Sequence, residues 1–397
     1  MTRARDVIVV GAGIVGTATA YELTRRGAAV TLLDRAGISE GTTGLGEGDV
    51  LCSDKDSGPE LELAVAGMVV YDEIERLVGA PARIRRKGAL IVHPDGRTWA
   101  AEPARAERLR AAGVHVRLLD PEEVRTLEPR LTGPLHGALY VASDLQCDPR
   151  AITRALATLA ADRGAEVRTG AEVTTIEPGR GVRLVGGERL RAGAVVLAAG
   201  SWSATLAASA GLQLPLEPRK GQLTRLRLPE PDPAFLRRKV VDGQYLLAVG
   251  DAGAGRQVST VLETSWDGHV IVGSSRERSG FDTTIDEDLA RVVQERAAKL
   301  VPDVARLQPD STWVGFRPWL PDGLPAIGRS RLAEGLWVAT GHEGAGVALG
   351  PITGRLLAQA ITGERPSVSV SPFDPDRFAS LHTTRALLVD DAVDTAR

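Results

Sequence analysis

Three stretches of this sequence combine residue types and spacings that can hold an anionic cofactor. Gly11-Ala12-Gly13-Ile14-Val15-Gly16 stands directly after the apolar run Val7–Val10 and before a helical stretch that reaches Arg26. In such a turn the first glycine makes the bend, the second leaves room for a pyrophosphate against the backbone, and the third lets helix and strand pack. The helix start then offers unpaired N–H groups and a partial positive charge to phosphate. Asp34 follows Gly16 by eighteen residues, at the end of the strand Val30–Leu33. A carboxylate there accepts the hydroxyls of an adenosine ribose and repels a 2′-phosphate, which disfavours NADP. The loop Gly41-Thr42-Thr43-Gly44-Leu45-Gly46-Glu47-Gly48 has little side-chain bulk and suits a cofactor lying extended along backbone amides. Near the other end, Gly341-His342-Glu343-Gly344-Ala345-Gly346-Val347 again joins a strand to a helix. A reduced flavin carries negative charge near N1 and O2, and a helix start aimed there offsets it. Together the three elements favour FAD over NAD.

The elements that must position these residues follow from periodicity and caps. Val7–Val10, the glycine turn, its helix and Val30–Leu33 form a complete β–α–β unit. Ser57-Gly58-Pro59-Glu60 predicts a capping box opening a helix to about Val78, and Asp148-Pro149 opens another that ends near Arg163-Gly164. Ala194–Ala199 is a buried-type strand closed by Gly200. From Gly221 to Ser275 the texture is strand-rich. Leu223–Leu228 is expected half-exposed, and Arg256–Glu263 pairs with His269–Gly273 across Trp266-Asp267-Gly268. Leu336–Thr340 is a strand, the following helix reaches about Thr362, and the segment after Pro366 has no strong pattern.

The 397 residues exceed one compact core and suffice for two joined domains. With α/β signatures at both ends and strands between, the expected class is α/β (α+β). One domain, 1–80, 149–215 and 322–370, is discontinuous and binds the dinucleotide. The second, 81–148 and 216–321, is a mixed, largely antiparallel substrate domain, and 371–397 forms a C-terminal tail. A formal net charge of −3 argues against nucleic acid or an anionic membrane as the main partner. Of the 48 basic residues 43 are arginine, so any one of them is by default a surface residue. Cys52 and Cys147 are too few for a disulfide framework, a thiolate zinc site or a four-thiolate cluster, which points to a reducing, cytoplasmic setting and no metal. The apolar N-terminal run is interrupted by Asp6 and ends at Glu22, too short to span a bilayer.

The segments VIVVGAGIVGTATAYEL, GTTGLGEG, VLAAGSW, GFRPWLPDGLPAIG and WVATGHEGAGVALGPITGRLLA resemble the FAD-dependent D-amino-acid/glycine/sarcosine oxidase family, in the same order along the chain. Residues 53–61 and 273–277 most resemble the hydroxyproline and opine dehydrogenases and the flavoprotein subunit of hydrogen cyanide synthase. The resemblance implies a glutathione-reductase-like FAD domain beneath a mixed-sheet domain roofing the flavin. It assigns FAD contacts to Gly11, Ala12, Gly13, Ile14, Val15 and Gly16, and to Asp34 with Arg35. It adds Thr42, Thr43, Glu47, Gly48 and Asp49, Val173 through its backbone, Ala199 and Gly200, and His342, Glu343, Gly344, Ala345, Gly346 and Val347. Arg317 matches the arginine that grips a substrate carboxylate, through two parallel charge-assisted bonds. Arg276 is expected to face the flavin or a second polar group. Glu263 is expected as an exposed strand residue, Tyr245 as a pocket or sheet tyrosine, and His342 as structural.

Two departures from the family pattern carry information. Glycine oxidases place an arginine in the final glycine loop where Gly344 stands here, which puts a glycine-sized substrate in doubt. No histidine in the first loop and no cysteine near Gly315 is available for a covalent bond, so FAD is expected to be non-covalent. The implied reaction is oxidation of the C–N bond of a carboxylate-bearing amine to an imine by hydride transfer. Oxygen or an electron-accepting partner subunit would reoxidise the flavin, and a homo- or hetero-oligomer fits either. A 2-hydroxy-acid dehydrogenase with His342 as base, and a non-catalytic flavoprotein subunit, are the alternatives.

Overall fold

The computed structural model describes residues 6–244 and 255–379. The first strand, Asp6–Val10, is buried beyond its first residue because it takes a parallel partner on each edge. The six-stranded sheet around it runs in the order Ala326–Arg329, Leu336–Thr340, Ala194–Leu197, Asp6–Val10, Ala29–Leu33, Glu166–Arg168. All its pairings are parallel except the outermost, Ala326–Arg329 against Leu336–Thr340. A three-stranded antiparallel sheet, Val173–Glu177, Gly181–Leu184 and Arg189–Arg191, lies beside it.

The eight-stranded sheet is mixed. Its order is Gln308–Trp319, Glu217–Arg227, Val270–Arg276, Gln257–Thr264, Lys239–Asp242, Ala89–His93, Gly137–Val141, Val116–Leu119. Only Lys239–Asp242 and Ala89–His93 are parallel. Glu217–Arg227 lies between two antiparallel neighbours, and of Leu223–Leu228 the residues Leu223, Thr224, Leu226 and Leu228 are buried while Arg225 is half-buried and Arg227 exposed. The predicted hairpin forms as Gln257–Thr264 against Val270–Arg276. A small sheet of Asp49–Val50, Leu145–Cys147 and Ile84–Arg85 ties the glycine-rich first loop to the eight-stranded part.

Close backbone approach fixes the two glycine turns relative to each other. The first helix, Ile14–Arg25, packs along the closing helix, Gly346–Thr362, at Gly350 and Gly354. A Cβ on Gly354 would stand 2.6 Å from the backbone of Ala18 and Thr19, and one on Gly350 would stand 3.0 Å from Ile14 Cγ2. Gly16 is fixed in the same way, since a Cβ there would collide with the carbonyl oxygen of Gly11.

The second predicted helix opens differently from expectation. Gly58, at φ 140°, is its N-cap without a side-chain bond, and Pro59 supplies the preset first turn up to Val78. Glu60 instead lies 3.9 Å from Lys55. Asp148 does cap its helix, accepting from the N–H groups of Arg150 and Ala151 at 3.0 Å each. Gly96–Ala111, Pro121–Leu127 and Glu287–Leu300 are further helices of the eight-stranded part. The segment after Pro366 continues into two short 3₁₀ turns that bury Phe373 and Phe378. No helix of the described residues is long and apolar enough to cross a membrane.

Gly354→Ala should therefore force the two helices apart and cost roughly 1–3 kcal/mol of stability. Thermal unfolding checks this, with an unchanged midpoint contradicting the packing role.

Candidate functional site

A cavity of about 570 Å³ opens where both glycine turns meet the edge of the eight-stranded sheet. Gly11, Gly13, Ile14 and Val15 line it from the first turn, and His342, Glu343, Gly344, Gly346 and Val347 from the second. Asp34, Arg35, Thr42, Thr43, Glu47, Gly48, Asp49, Val173, Ala199, Gly200 and Arg317 line it as well. Ala12, Gly16, Ala345 and Arg276 do not line it. Ala12 donates its N–H to Asp34 Oδ2 (2.8 Å), and Ala345 donates to His342 O (2.9 Å). Tyr245 lies outside the described residues.

The first turn is built for a phosphate. Gly11, at φ 108°, brings the chain so close to Ala198 that a side chain would strike its carbonyl. Gly13, the N-cap, has no side-chain cap, which leaves the helix start to an external anion. Thr43 Oγ1 takes the Ile14 N–H at 3.2 Å and would lie 3.0 Å from a Cβ on Gly13, so that contact admits only glycine comfortably. Asp34 spends one lone pair of each oxygen on the N–H groups of Ala12 and Ala36, both at 2.8 Å. That clamps the strand end to the turn and leaves the outer lone pairs for ribose hydroxyls. Arg35 is stacked 4.2 Å over the Trp202 ring beside this end. These features, a cradle closed to any Cβ and an uncapped helix start answered by an acid, fit a dinucleotide.

At the other end of the cavity stands Arg317. Thr42 Oγ1 and Ser201 Oγ both donate to the carbonyl of the preceding Phe316, at 2.7 and 2.8 Å, and Trp313 Nε1 donates to Leu45 O at 2.9 Å. The first loop thereby clips the strand that carries the arginine. The Arg317 guanidinium lies over Gly221, where a Cβ would overlap it, and donates to Ser275 O at 2.9 Å. Arg219 stands directly across from Arg317 in strand register. Glu343 Oε1 lies 3.2 Å from Arg276 Nε and 3.5 Å from Arg219 Nη1. Burial pushes the Glu343 carboxyl up, but Arg276 and Arg317 outweigh it and hold the pKa at about 2. Glu343 takes a left-handed backbone at φ 46°, a conformation that turns this carboxylate toward the arginines at a cost of order 1–3 kcal/mol. Arg276, expected to face the flavin or a second polar group, is fully buried and meets polar groups, Glu343 at Nε and Ser259 Oγ at Nη1, 3.2 Å each.

His342 is structural in its contacts: Nε2 lies 3.0 Å from Thr353 Oγ1 within the closing helix, and burial lowers its pKa to about 4. Glu263, expected exposed, is fully buried because its strand is interior to the sheet, and it lies 3.1 Å from Lys87 Nζ. It belongs to a group absent from the expectations. Oxygens of Glu47, Asp49 and Glu263 lie within 4.8 Å of one another. Lys239 Nζ pairs with Glu47 and, at 2.8 Å, with Asp49, supplying the positive charge that a metal would otherwise bring. Burial would lower the Lys239 pKa, but Asp49, Glu263 and Glu47 drive it well above the ordinary lysine value. Burial raises Asp49 to about 6 against the opposing pull of Lys239. The available signal was a lysine at the head of the apolar run Lys239-Val240-Val241 in a chain with few lysines.

A family model described as FAD dependent oxidoreductase (DAO) matches residues 6–360. Glycine oxidase of Pseudomonas aeruginosa is 32% identical over 386 residues, covering 93% of this chain and 98% of the relative. The hydrogen cyanide synthase subunit HcnC of the same species is 28% identical over 424 residues, covering 95% and 97%. Among solved structures, glycine oxidase from Geobacillus kaustophilus matches with a TM-score of 0.83 at 28% identity, covering 95% of this chain and 99% of that one. With its dinucleotide cradle at one end and its arginines at the other, the chain belongs to the DAO family of FAD-dependent oxidoreductases.

Proposed function

We propose that this enzyme oxidises the C–N bond of an amino acid or secondary amine bearing a carboxylate, to the imine. The observation that carries this reading is Arg317 among the residues that line a cavity shared by both glycine turns. Its planar fork accepts a carboxylate through two parallel bonds and fixes the α-carbon in one orientation. The Ser275 carbonyl accepts from that fork, and the bonds of Thr42 and Ser201 to the Phe316 carbonyl hold the strand beneath it, before substrate arrives, so little freedom is lost on binding. FAD, when bound, supplies a two-electron acceptor for the hydride leaving the α-carbon.

The first turn, Asp34 and the loop from Thr42 to Asp49 would hold the dinucleotide, and Val173 would meet its adenine end. The start of the closing helix would offset negative charge near the flavin. Residues 1–80, 149–215 and 322–370 would constitute the FAD domain, and 81–148 with 216–321 the roof. Binding is non-covalent in this reading. Among the described residues both cysteines are buried away from the cavity, and His342 is engaged with Thr353. The same engagement argues against a 2-hydroxy-acid dehydrogenase, whose base would have been His342. Gly344 lies 3.8 Å, at its Cβ direction, from Arg317 Cδ, and the space left there suits a substrate larger than glycine.

Anaerobic mixing with D- and L-amino acids, N-alkyl amino acids and hydroxy acids tests the substrate class by bleaching of the flavin. Readmitting oxygen, or a partner acceptor, tells oxidase from dehydrogenase. Arg317→Lys should lower kcat/KM for carboxylate substrates by about tenfold or more, and unchanged kinetics would remove the clamp from the account. His342→Gln should still be bleached by amino acids, whereas selective loss of hydroxy-acid turnover would favour the other chemistry.

A further inference from the structure

Glu47 occupies a place that the cofactor assignment alone does not explain. Gly221 and Leu223 are two residues apart on the strand Glu217–Arg227 and point to one face of the sheet, with Gly273 directly opposite Leu223. The Arg317 guanidinium lies over Gly221 on this face. Glu47 Oε1 lies over Gly273, 3.3 Å from where a Cβ would stand. A cationic fork and a carboxylate therefore share one wall of the cavity, offset by roughly 6.6 Å along the strand at two residues and by roughly 4.8 Å across to the next strand, about 8 Å in all. An α-amino acid hydrogen-bonded at both ends spans a gap of this order, with its carboxylate on one group and its ammonium on the other.

The support behind Glu47 fits an ammonium ligand. Its other oxygen, Oε2, accepts from Lys239 Nζ. The groups facing it from the packed elements are Lys239, Asp49, Glu263, Lys87 and Arg317. Behind Glu47 the three carboxylates share the two lysines, and the third cation acting on Glu47 is Arg317, so the group balances in charge when all are ionised. Burial raises the Glu47 carboxyl above its ordinary value against the pull of Lys239, which makes it a better proton acceptor than a solvated glutamate.

We propose that Glu47 binds the substrate's ammonium group and accepts its proton, with Lys239 as the positioning residue that holds the carboxylate. One N–H bond breaks, one O–H bond forms on Glu47, and the electron pair remains on nitrogen. That pair is what allows a hydride to leave the neighbouring α-carbon. The inference rests on Arg317 being the carboxylate clamp.

The test is anaerobic rapid-mixing reduction of the FAD-loaded enzyme by whichever of glycine, sarcosine, D-proline or L-proline bleaches the wild type fastest. Glu47→Gln should be slower by about a hundredfold near neutral pH, and the deficit should shrink roughly tenfold per pH unit as solvent deprotonates the amine. Glu47→Asp should retain the wild-type profile. Asp49→Asn separates the neighbour that titrates at about 6. Flavin absorbance reports FAD retention in each variant, and acetate titration reports the clamp, which Glu47→Gln should leave intact. A Glu47→Gln profile parallel to the wild type, or its loss of acetate binding together with activity, would overturn the assignment. If none of the four compounds bleaches the wild type, the C–N reading falls and takes this inference with it. If they do and Arg317→Lys alone impairs them, only the role of Glu47 falls.

Discussion

Backbone contact between the two ends of the chain is the constraint on which the site depends. The cavity exists because Ile14–Arg25 and Gly346–Thr362 lie close enough for their starts to face one volume. That closeness requires glycine at 350 and 354, where a side chain would meet Ile14 or the backbone of Ala18 and Thr19. Side-chain packing of ordinary size would hold the helices farther apart. The two glycine turns are therefore brought to one cavity by what the helices lack.

Electrostatics then divides the cavity. At one end Arg276, Arg317 and Arg219 gather round Glu343, whose ionisation they enforce far below neutral pH. On the same sheet face Glu47, Asp49 and Glu263 are matched by Lys239 and Lys87. Both clusters are buried, and removing one member of a buried pair costs about 3–5 kcal/mol. Such an arrangement holds its side chains in place before ligand arrives, which is the condition for positioning to accelerate a reaction.

The α/β class and the FAD cofactor were legible because they rest on local rules. A strand, a glycine turn and a helix follow each other within one stretch, and Asp34 lies at a fixed distance from Gly16. The Asp148 cap and the hairpin of Gln257–Thr264 with Val270–Arg276 were legible for the same reason. The capping box at Ser57 failed because Gly58 takes a backbone that puts the cap elsewhere. Glu263 was misjudged because residue type does not show whether a strand is central in its sheet. Arg276 is buried on a strand flanked on both sides, and its partner Glu343 stands sixty-seven positions away in sequence, a contact that no local pattern shows. The Lys239 cluster was invisible, since it joins four segments that meet only in the folded chain.

The most direct measurement of this account is a crystal structure of the FAD-loaded protein with a bound carboxylate. The pyrophosphate should lie on the start of Ile14–Arg25, the flavin beside the start of Gly346–Thr362, and the carboxylate on Arg317. A flavin away from either helix start, or a carboxylate held by other residues, would contradict it.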